Sequence, residues 1–147
     1  MSNVDECRAY VVHLRIEHRE LHGALQRIKH GWTDANAEYD LPIVVQELRD
    51  LRTRLAEHFA EEEGGGCMEE AVGRCPRLGQ EADRIEREHP ALLAELDEII
   101  ARTQLALELG QTNQNHQTFR DFAQKLFAHE SAENHILEVA FGLHEDL

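Results

Sequence analysis

The chain has 147 residues, of which 41% are hydrophobic and 30% charged, and its formal net charge at pH 7 is −14. Such a charge repels the phosphates of nucleic acids and anionic lipids, and no apolar run is long enough to span a bilayer. We therefore expect one domain over residues 1–147, without nucleic acid or membrane partners. Because residues 1–6 lack the features of a signal peptide, the expected location is cytoplasmic.

Apolar side chains recur at helical spacing in four long segments. The first predicted helix covers about residues 3–30, and Gly31 is expected to end it. The second begins near Asp40, a suitable N-cap, with Pro42 in its first turn. It should end at the three glycines of residues 64–66.

A connection containing two cysteines follows, and residues 68–72 are expected to form a short helical turn within it. The third long helix is predicted over residues 80–109, ended by Gly110, with a kink at Pro90 because proline cannot donate the helical hydrogen bond. The fourth begins near residue 112 or 113. No segment alternates with period two, so the sequence predicts an all-α protein, an up-down-up-down four-helix bundle.

The three cysteines, Cys7, Cys67 and Cys75, are too few and too far apart for a disulfide framework or a zinc site of paired ligands. Free thiols are the favoured interpretation.

Ten histidines are many for so acidic a chain, and several fall within the apolar stripes. The polar residues at core positions are His18 on the first helix, His58 and Glu62 on the second, His89 on the third, and His129 and Glu133 on the fourth. His22 lies one turn after His18, at the margin of its stripe. The other histidines occupy outward positions or helix ends, where they are expected to be solvated.

Burying carboxylates without a partner is costly, so Glu62 and Glu133 among four imidazoles indicate a bound cation. Each carboxylate follows a histidine by four residues, which places both side chains on one face of the helix. Imidazole and carboxylate together suit iron, zinc or manganese. The alternative is a hydrogen-bonded polar core with ordinary salt bridges, but the repetition on four helices favours two metals bridged by the two glutamates.

Four segments resemble, in order, the ligand motifs of hemerythrin-like (HHE cation-binding) domains, and the resemblance covers nearly the whole chain. They are Leu-Arg-Ile-Glu-His18-Arg-Glu-Leu, His58-Phe-Ala-Glu-Glu62-Glu, Glu-His89-Pro-Ala-Leu-Leu and His129-Glu-Ser-Ala-Glu133. The resemblance implies an oxo- or hydroxo-bridged di-iron centre. It places His18 and His58 on one iron, His89 and His129 on the other, and Glu62 and Glu133 between them.

One position departs from the oxygen-carrying members of that family. They have a second histidine on the third helix, where this chain has Leu93. His22 is the candidate to replace it as a metal ligand. Without His22 the site would contain four histidines and would be more open, which favours oxidase- or peroxidase-like reactivity over reversible oxygen carriage.

The resemblance therefore leaves three functions open. The leading hypothesis is binding or sensing of dioxygen, or of a related small ligand such as nitric oxide, in a pocket lined by Leu21, Phe59, Leu93 and Leu126. An apolar pocket without a proton donor favours binding over bond cleavage. The alternatives are a di-iron oxidoreductase that consumes peroxide or nitric oxide, and an iron sensor or store that folds around metal.

Overall fold

The computed structural model describes residues 3–33, 41–110 and 116–142, and these residues form helices without a strand. The helices are α1 (Asn3–Thr33), α2 (Leu41–Gly65), α3 (Cys67–Arg74), α4 (Gly79–Leu109) and α5 (His116–Phe141), with a 3-10 turn at Pro76–Leu78 between α3 and α4. The all-α prediction is confirmed. None of the helices in the described part of the chain has the length and hydrophobicity needed to cross a membrane.

Glycines end two of the predicted helices. Gly66 follows α2 with φ +76°, and Gly110 follows α4 with φ +63°, a conformation that glycine adopts without strain. Gly31 does not end α1, which continues to Thr33, so that boundary was wrong. The predicted starts at Asp40 and at residues 112 or 113 lie outside the described residues.

Helix α4 is continuous through Pro90. The side chains of Pro90 and Glu86 are both exposed, so the missing hydrogen bond lies on the solvent side of the helix. Water can satisfy the Glu86 carbonyl there, and α4 extends unbroken to Leu109.

The four long helices contact one another in a closed cycle: α1 packs against α2 and α5, and α4 packs against the same two helices. The short α3 packs mainly against α5 and also contacts α1, α2 and α4. Each long helix therefore has two long neighbours, and its apolar stripe is buried between them.

The buried apolar side chains form two clusters, and the candidate metal ligands lie between them. The aromatic cluster includes Trp32, Phe59, Phe119 and Phe122, and the cysteine cluster includes Cys7, Cys67, Ile85 and Phe141. On α1, His18 comes after Leu14 of the cysteine cluster and before Leu21 of the aromatic cluster. His89 on α4 has the same arrangement, between Ile85 and Leu92, and His129 on α5 has the reverse one, between Leu126 and Ile136, so the polar layer divides the core.

Cys7 and Cys67 form a disulfide, with their Cα atoms 5.6 Å apart. The expectation of three free thiols was therefore wrong for this pair, although Cys75 is free and half-buried. The two cysteines are 60 residues apart in sequence, and they meet because α3 folds back against the start of α1. Disulfides are rare in cytosolic proteins, and the cytoplasmic location remains a prediction.

Candidate metal centre

Six of the seven predicted ligand residues meet in the layer between the two clusters. Their close approaches are His18 Nε2 to Glu133 Oε1 (3.3 Å), His58 Nε2 to Glu62 Oε2 (3.5 Å), His89 Nε2 to Glu62 Oε1 (3.4 Å), His89 Nε2 to Glu133 Oε2 (3.7 Å) and His129 Nε2 to Glu133 Oε2 (3.5 Å). The four imidazoles and Glu133 are buried, and the Glu62 side chain is 9% exposed.

These residues form two overlapping ligand groups. One contains His18, His58, Glu62 and Glu133, the other contains His89, His129, Glu62 and Glu133, and in each the ligand atoms lie within 4.8 Å of one another. Both carboxylates belong to both groups, so each can bridge two cations. This is the division of ligands that the resemblance implies.

The six residues also leave buried polar atoms without hydrogen-bond partners. The unpaired atoms are the Nε2 of His18, His58, His89 and His129, Glu62 Oε1 and Glu133 Oε1. Buried polar groups are almost always paired, and an unsatisfied one costs about 1–3 kcal/mol. Six such atoms facing one volume form a donor set that a metal ion would satisfy.

The other ring nitrogen of each histidine is held by an acceptor on a neighbouring helix. The Nδ1 pairs are His18 with Asn134 Oδ1 (3.1 Å), His58 with Glu17 Oε1 (2.7 Å), His89 with Glu63 Oε2 (2.8 Å) and His129 with Glu88 Oε1 (2.8 Å). Because the oxygen accepts, Nδ1 carries the proton and the Nε2 lone pair points toward the centre. Such outer contacts fix the tautomer and orientation of metal-binding histidines.

These four outer residues, Glu17, Glu63, Glu88 and Asn134, each adjoin a ligand in sequence but hold a histidine of another helix. Glu17 connects α1 to α2, Glu63 connects α2 to α4, Glu88 connects α4 to α5, and Asn134 connects α5 to α1. The contacts form a closed ring through the four long helices. The sequence prediction missed them, although their positions beside the ligands were the available signal.

The electrostatics of the centre favour bound positive charge. Burial and the neighbouring Glu133 raise the pKa of Glu62 far above its usual range. The pKa of Glu133 is low in spite of its burial, because the adjacent Glu62 and the close imidazoles of three histidines favour its charged form. Burying both carboxylates in charged form therefore requires a compensating cation.

The histidines differ in their tendency to accept a proton. Burial lowers the pKa of His58, although Glu17 opposes the effect, so His58 favours the neutral form that binds metals. Burial also acts to lower the pKa of His89, but the carboxylates of Glu133 and Glu63 outweigh it and raise that pKa.

The structure does not bring His22 together with the other six. Its side chain is exposed, and its ring centroid lies 5.8 Å from that of Phe127. His22 belongs to neither of the two ligand groups. Among the described residues, these two groups therefore provide four histidines. Leu93, at the position where oxygen-carrying hemerythrins have a further histidine, packs against the aromatic cluster.

A cavity of about 260 Å³ reaches the centre from beneath α3. It is lined at the centre by Glu62, His89 and Glu133, along its walls by Met68, Val72, Ala82 and Ile85, and elsewhere by Glu63, Gly66, Glu69, Asp83 and Glu86. The expected lining was different: Leu21, Phe59, Leu93 and Leu126 belong to the aromatic cluster or pack against it. Phe59 stacks on His89 with ring centroids 4.0 Å apart and closes that side.

Two further polar residues near the centre were not foreseen. Glu130 is 4% exposed, and burial together with the charge of Glu133 raises its pKa to about 8. The hydroxyl of Tyr10 is buried without a hydrogen-bond partner. Burial, Glu62 and Glu133 raise the pKa of Tyr10 well above its ordinary value. Each lies on a side of its helix that the sequence pattern assigns to solvent or to the stripe margin.

Comparisons with models of protein families, with curated proteins and with solved structures find no match. The resemblance to hemerythrin-like domains therefore depends on the four ligand segments alone.

Proposed function

We propose that this chain is a non-haem di-iron protein of the hemerythrin-like kind that binds dioxygen or a related small ligand. The proposed architecture is an up-down-up-down bundle of α1, α2, α4 and α5. The cyclic packing of these helices and the short links between successive long helices support it.

The observation that carries the proposal is the set of unpaired donor atoms at the centre. Four imidazole nitrogens and two carboxylates face one buried volume, and the opposite nitrogen of each imidazole is already held in place. In the proposed centre, His18 and His58 would hold one iron and His89 and His129 the other, and Glu62 and Glu133 would be shared between them. Nitrogen and oxygen donors without thiolate suit iron.

Each iron would have two histidines and two shared carboxylates as protein ligands, which leaves room for a small ligand. When bound, the iron pair would supply redox chemistry at this site. The cavity beneath α3 supports access from solvent, because it extends to His89, Glu62 and Glu133. Phe59 and the aromatic cluster exclude water from the opposite side.

A second candidate is a di-iron oxidoreductase that consumes peroxide or nitric oxide. The lining of the cavity favours it, because Glu63, Glu69, Asp83 and Glu86 make the approach to the centre polar, and cleavage of peroxide generally requires polar groups near the reacting atoms. The sequence predicted an apolar pocket without a proton donor, which favoured simple binding. The observed cavity is instead lined partly by carboxyl groups. The four-histidine ligand set also favours this candidate.

The third function, an iron sensor or store that folds around metal, has weaker support. The ring of hydrogen bonds through Glu17, Glu63, Glu88 and Asn134 consists of contacts between protein atoms. These contacts can align the helices before metal binds, whereas a folding-coupled sensor requires the metal to align them.

Optical spectroscopy of the anaerobically reduced protein, followed by exposure to air, tests the proposal. A visible spectrum that changes with dioxygen and returns when dioxygen is removed supports ligand binding. Rapid irreversible oxidation, with turnover of peroxide or nitric oxide, supports the oxidoreductase. Purified protein that contains no iron after growth in iron-replete medium would contradict both.

A further inference from the structure

A second group of potential metal ligands lies on the surface between α1 and α2. It consists of His13, Glu17 and Glu61, whose ligand atoms lie within 4.8 Å of one another. His13 Nε2 is 2.9 Å from Glu61 Oε1 and 3.3 Å from Glu17 Oε2. The side chains are 52%, 26% and 46% exposed for His13, Glu17 and Glu61, so a hydrated ion can reach all three.

Glu17 connects this group directly to the buried centre. Its Oε2 approaches His13 at the surface, while its Oε1 accepts a hydrogen bond from Nδ1 of His58 at 2.7 Å. One carboxylate therefore contacts both an exposed histidine and a proposed iron ligand. On α2, Glu61 also precedes the bridging Glu62, so the two groups are adjacent along both helices.

Tyr10 provides a second observation on the same side of the protein. Its ring centroid is 6.4 Å from that of His13, and its hydroxyl is buried without a hydrogen-bond partner. Burial, and after it the charges of Glu62, Glu133, Glu61 and Glu17, raise the pKa of Tyr10. A tyrosine with an unpaired hydroxyl thus lies beside His13 of the surface group.

We propose that His13, Glu17 and Glu61 form a surface site for a divalent cation, through which metal passes to and from the buried centre. The site itself stands on its own geometry, and its role in transfer rests on the proposed di-iron function. One imidazole and two carboxylates match the preferences of Fe²⁺ and Mn²⁺. The net charge of −14 attracts cations to this surface.

Transfer from this site would use Glu17, whose two carboxylate oxygens face the surface group and His58 respectively. A cation bound between His13 and Glu61 is already in contact with Glu17 Oε2. For the cation to move inward, the hydrogen bond from Nδ1 of His58 to Glu17 Oε1 would open and free the second oxygen of Glu17 to hold the ion beside the centre. The ordinary alternative is a surface contact of His13 with the two glutamates that holds no metal.

Titration of the iron-containing protein with Mn²⁺ tests the site. The electron paramagnetic resonance signal of free Mn²⁺ measures how much of the ion is bound. We expect one bound Mn²⁺ in addition to the resident metal. His13→Ala and Glu61→Gln should each weaken this binding by more than about tenfold, because each removes one of three donors. The matched controls are His135→Ala, an exposed histidine on α5, and Glu57→Gln, an exposed glutamate one turn before Glu61.

The rate of iron transfer from the loaded protein to a ferrous chelator tests the route. By microscopic reversibility a site used for uptake is also used for release, so His13→Ala should slow transfer on the order of tenfold without changing the iron content at equilibrium. Absence of the additional Mn²⁺, or binding that survives both substitutions, overturns the site. An unchanged transfer rate overturns its role. Iron-free parent protein would instead contradict the di-iron function, while the Mn²⁺ titration would still test the surface site.

Discussion

Nδ1 of His129 on α5 donates a hydrogen bond of 2.8 Å to Glu88 Oε1 on α4, so the Nε2 of His129 faces the carboxylate of Glu133. Removing such an outer contact typically lowers metal affinity 10–100-fold. Glu88→Ala should therefore lose its metal at a concentration of competing chelator roughly 10–100-fold lower than the parent requires. Its helical content should be unchanged. Glu98→Ala, an exposed glutamate on the same helix, is the control. Equal affinities in the two variants would contradict the orienting role of Glu88.

The ligand residues themselves should determine metal content. We expect about two irons per chain in the parent, and loss of at least one in His58→Ala and in Glu133→Ala. The Tm should fall as well, because each change leaves buried charge uncompensated. Elemental analysis and thermal unfolding measure both effects, with His135→Ala as the control. A parent containing one zinc and no iron would be inconsistent with the di-iron centre.

Unlike substitutions of the six residues at the centre, His22→Leu is expected to leave the metal centre unchanged. Because the His22 side chain is exposed and lies against Phe127, the variant should retain the parent's iron content, azide spectrum and autoxidation rate. A changed spectrum with normal iron loading would show that His22 moves to the metal and completes a five-histidine site.

The Cys7–Cys67 disulfide should stabilise the fold substantially. Closing a loop between residues separated by 60 positions reduces the entropy of the unfolded chain by an amount worth about 4 kcal/mol. Cys67→Ser should lower the free energy of unfolding by up to that amount, measured by urea denaturation. Reductant should destabilise the parent equally and leave the variant unaffected, whereas Cys75→Ser should behave as the parent does. A parent insensitive to reductant would refute this assignment.

Tyr10 should contribute to alkaline destabilisation. Burial and nearby carboxylates raise the folded-state pKa above the ordinary value of 10.0, so the folded protein keeps a proton that the unfolded chain loses. Stability is thus complete below about pH 10 and falls as the pH rises above it. In Tyr10→Phe, the fall in Tm between about pH 9 and pH 11 should be smaller. Identical pH profiles for the two proteins would place the hydroxyl in solvent.

The all-α class, and the grouping of six polar residues in the core, could be predicted from periodicity. Histidines and glutamates such as His18 and Glu133 interrupt apolar stripes, and a stripe position fixes which way a helical side chain faces. Helix ends were less certain, because Gly31 can remain within a helix when packing around Trp32 favours continuation. Intrinsic helix preference is weak beside such burial.

Contacts between distant segments could not be read in the same way. The pairing of Glu17 with His58 depends on the distance and rotation between two helices, and periodicity specifies neither. The same holds for Cys7 and Cys67, which meet only after α3 folds back. The cavity also depends on α3, whose residues Met68 and Val72 form part of its wall.

The ring of hydrogen bonds between helices has a consequence for how this sequence can change. At the centre each long helix uses two consecutive residues, such as Glu17 and His18, one directed to a neighbouring helix and one to the candidate metal centre. Sliding a helix by one residue displaces it about 1.5 Å and rotates it by more than a quarter turn, which breaks both contacts together. Insertions are therefore tolerable in the connections between helices, whereas a single inserted residue on either side of such a pair shifts half a helix out of register.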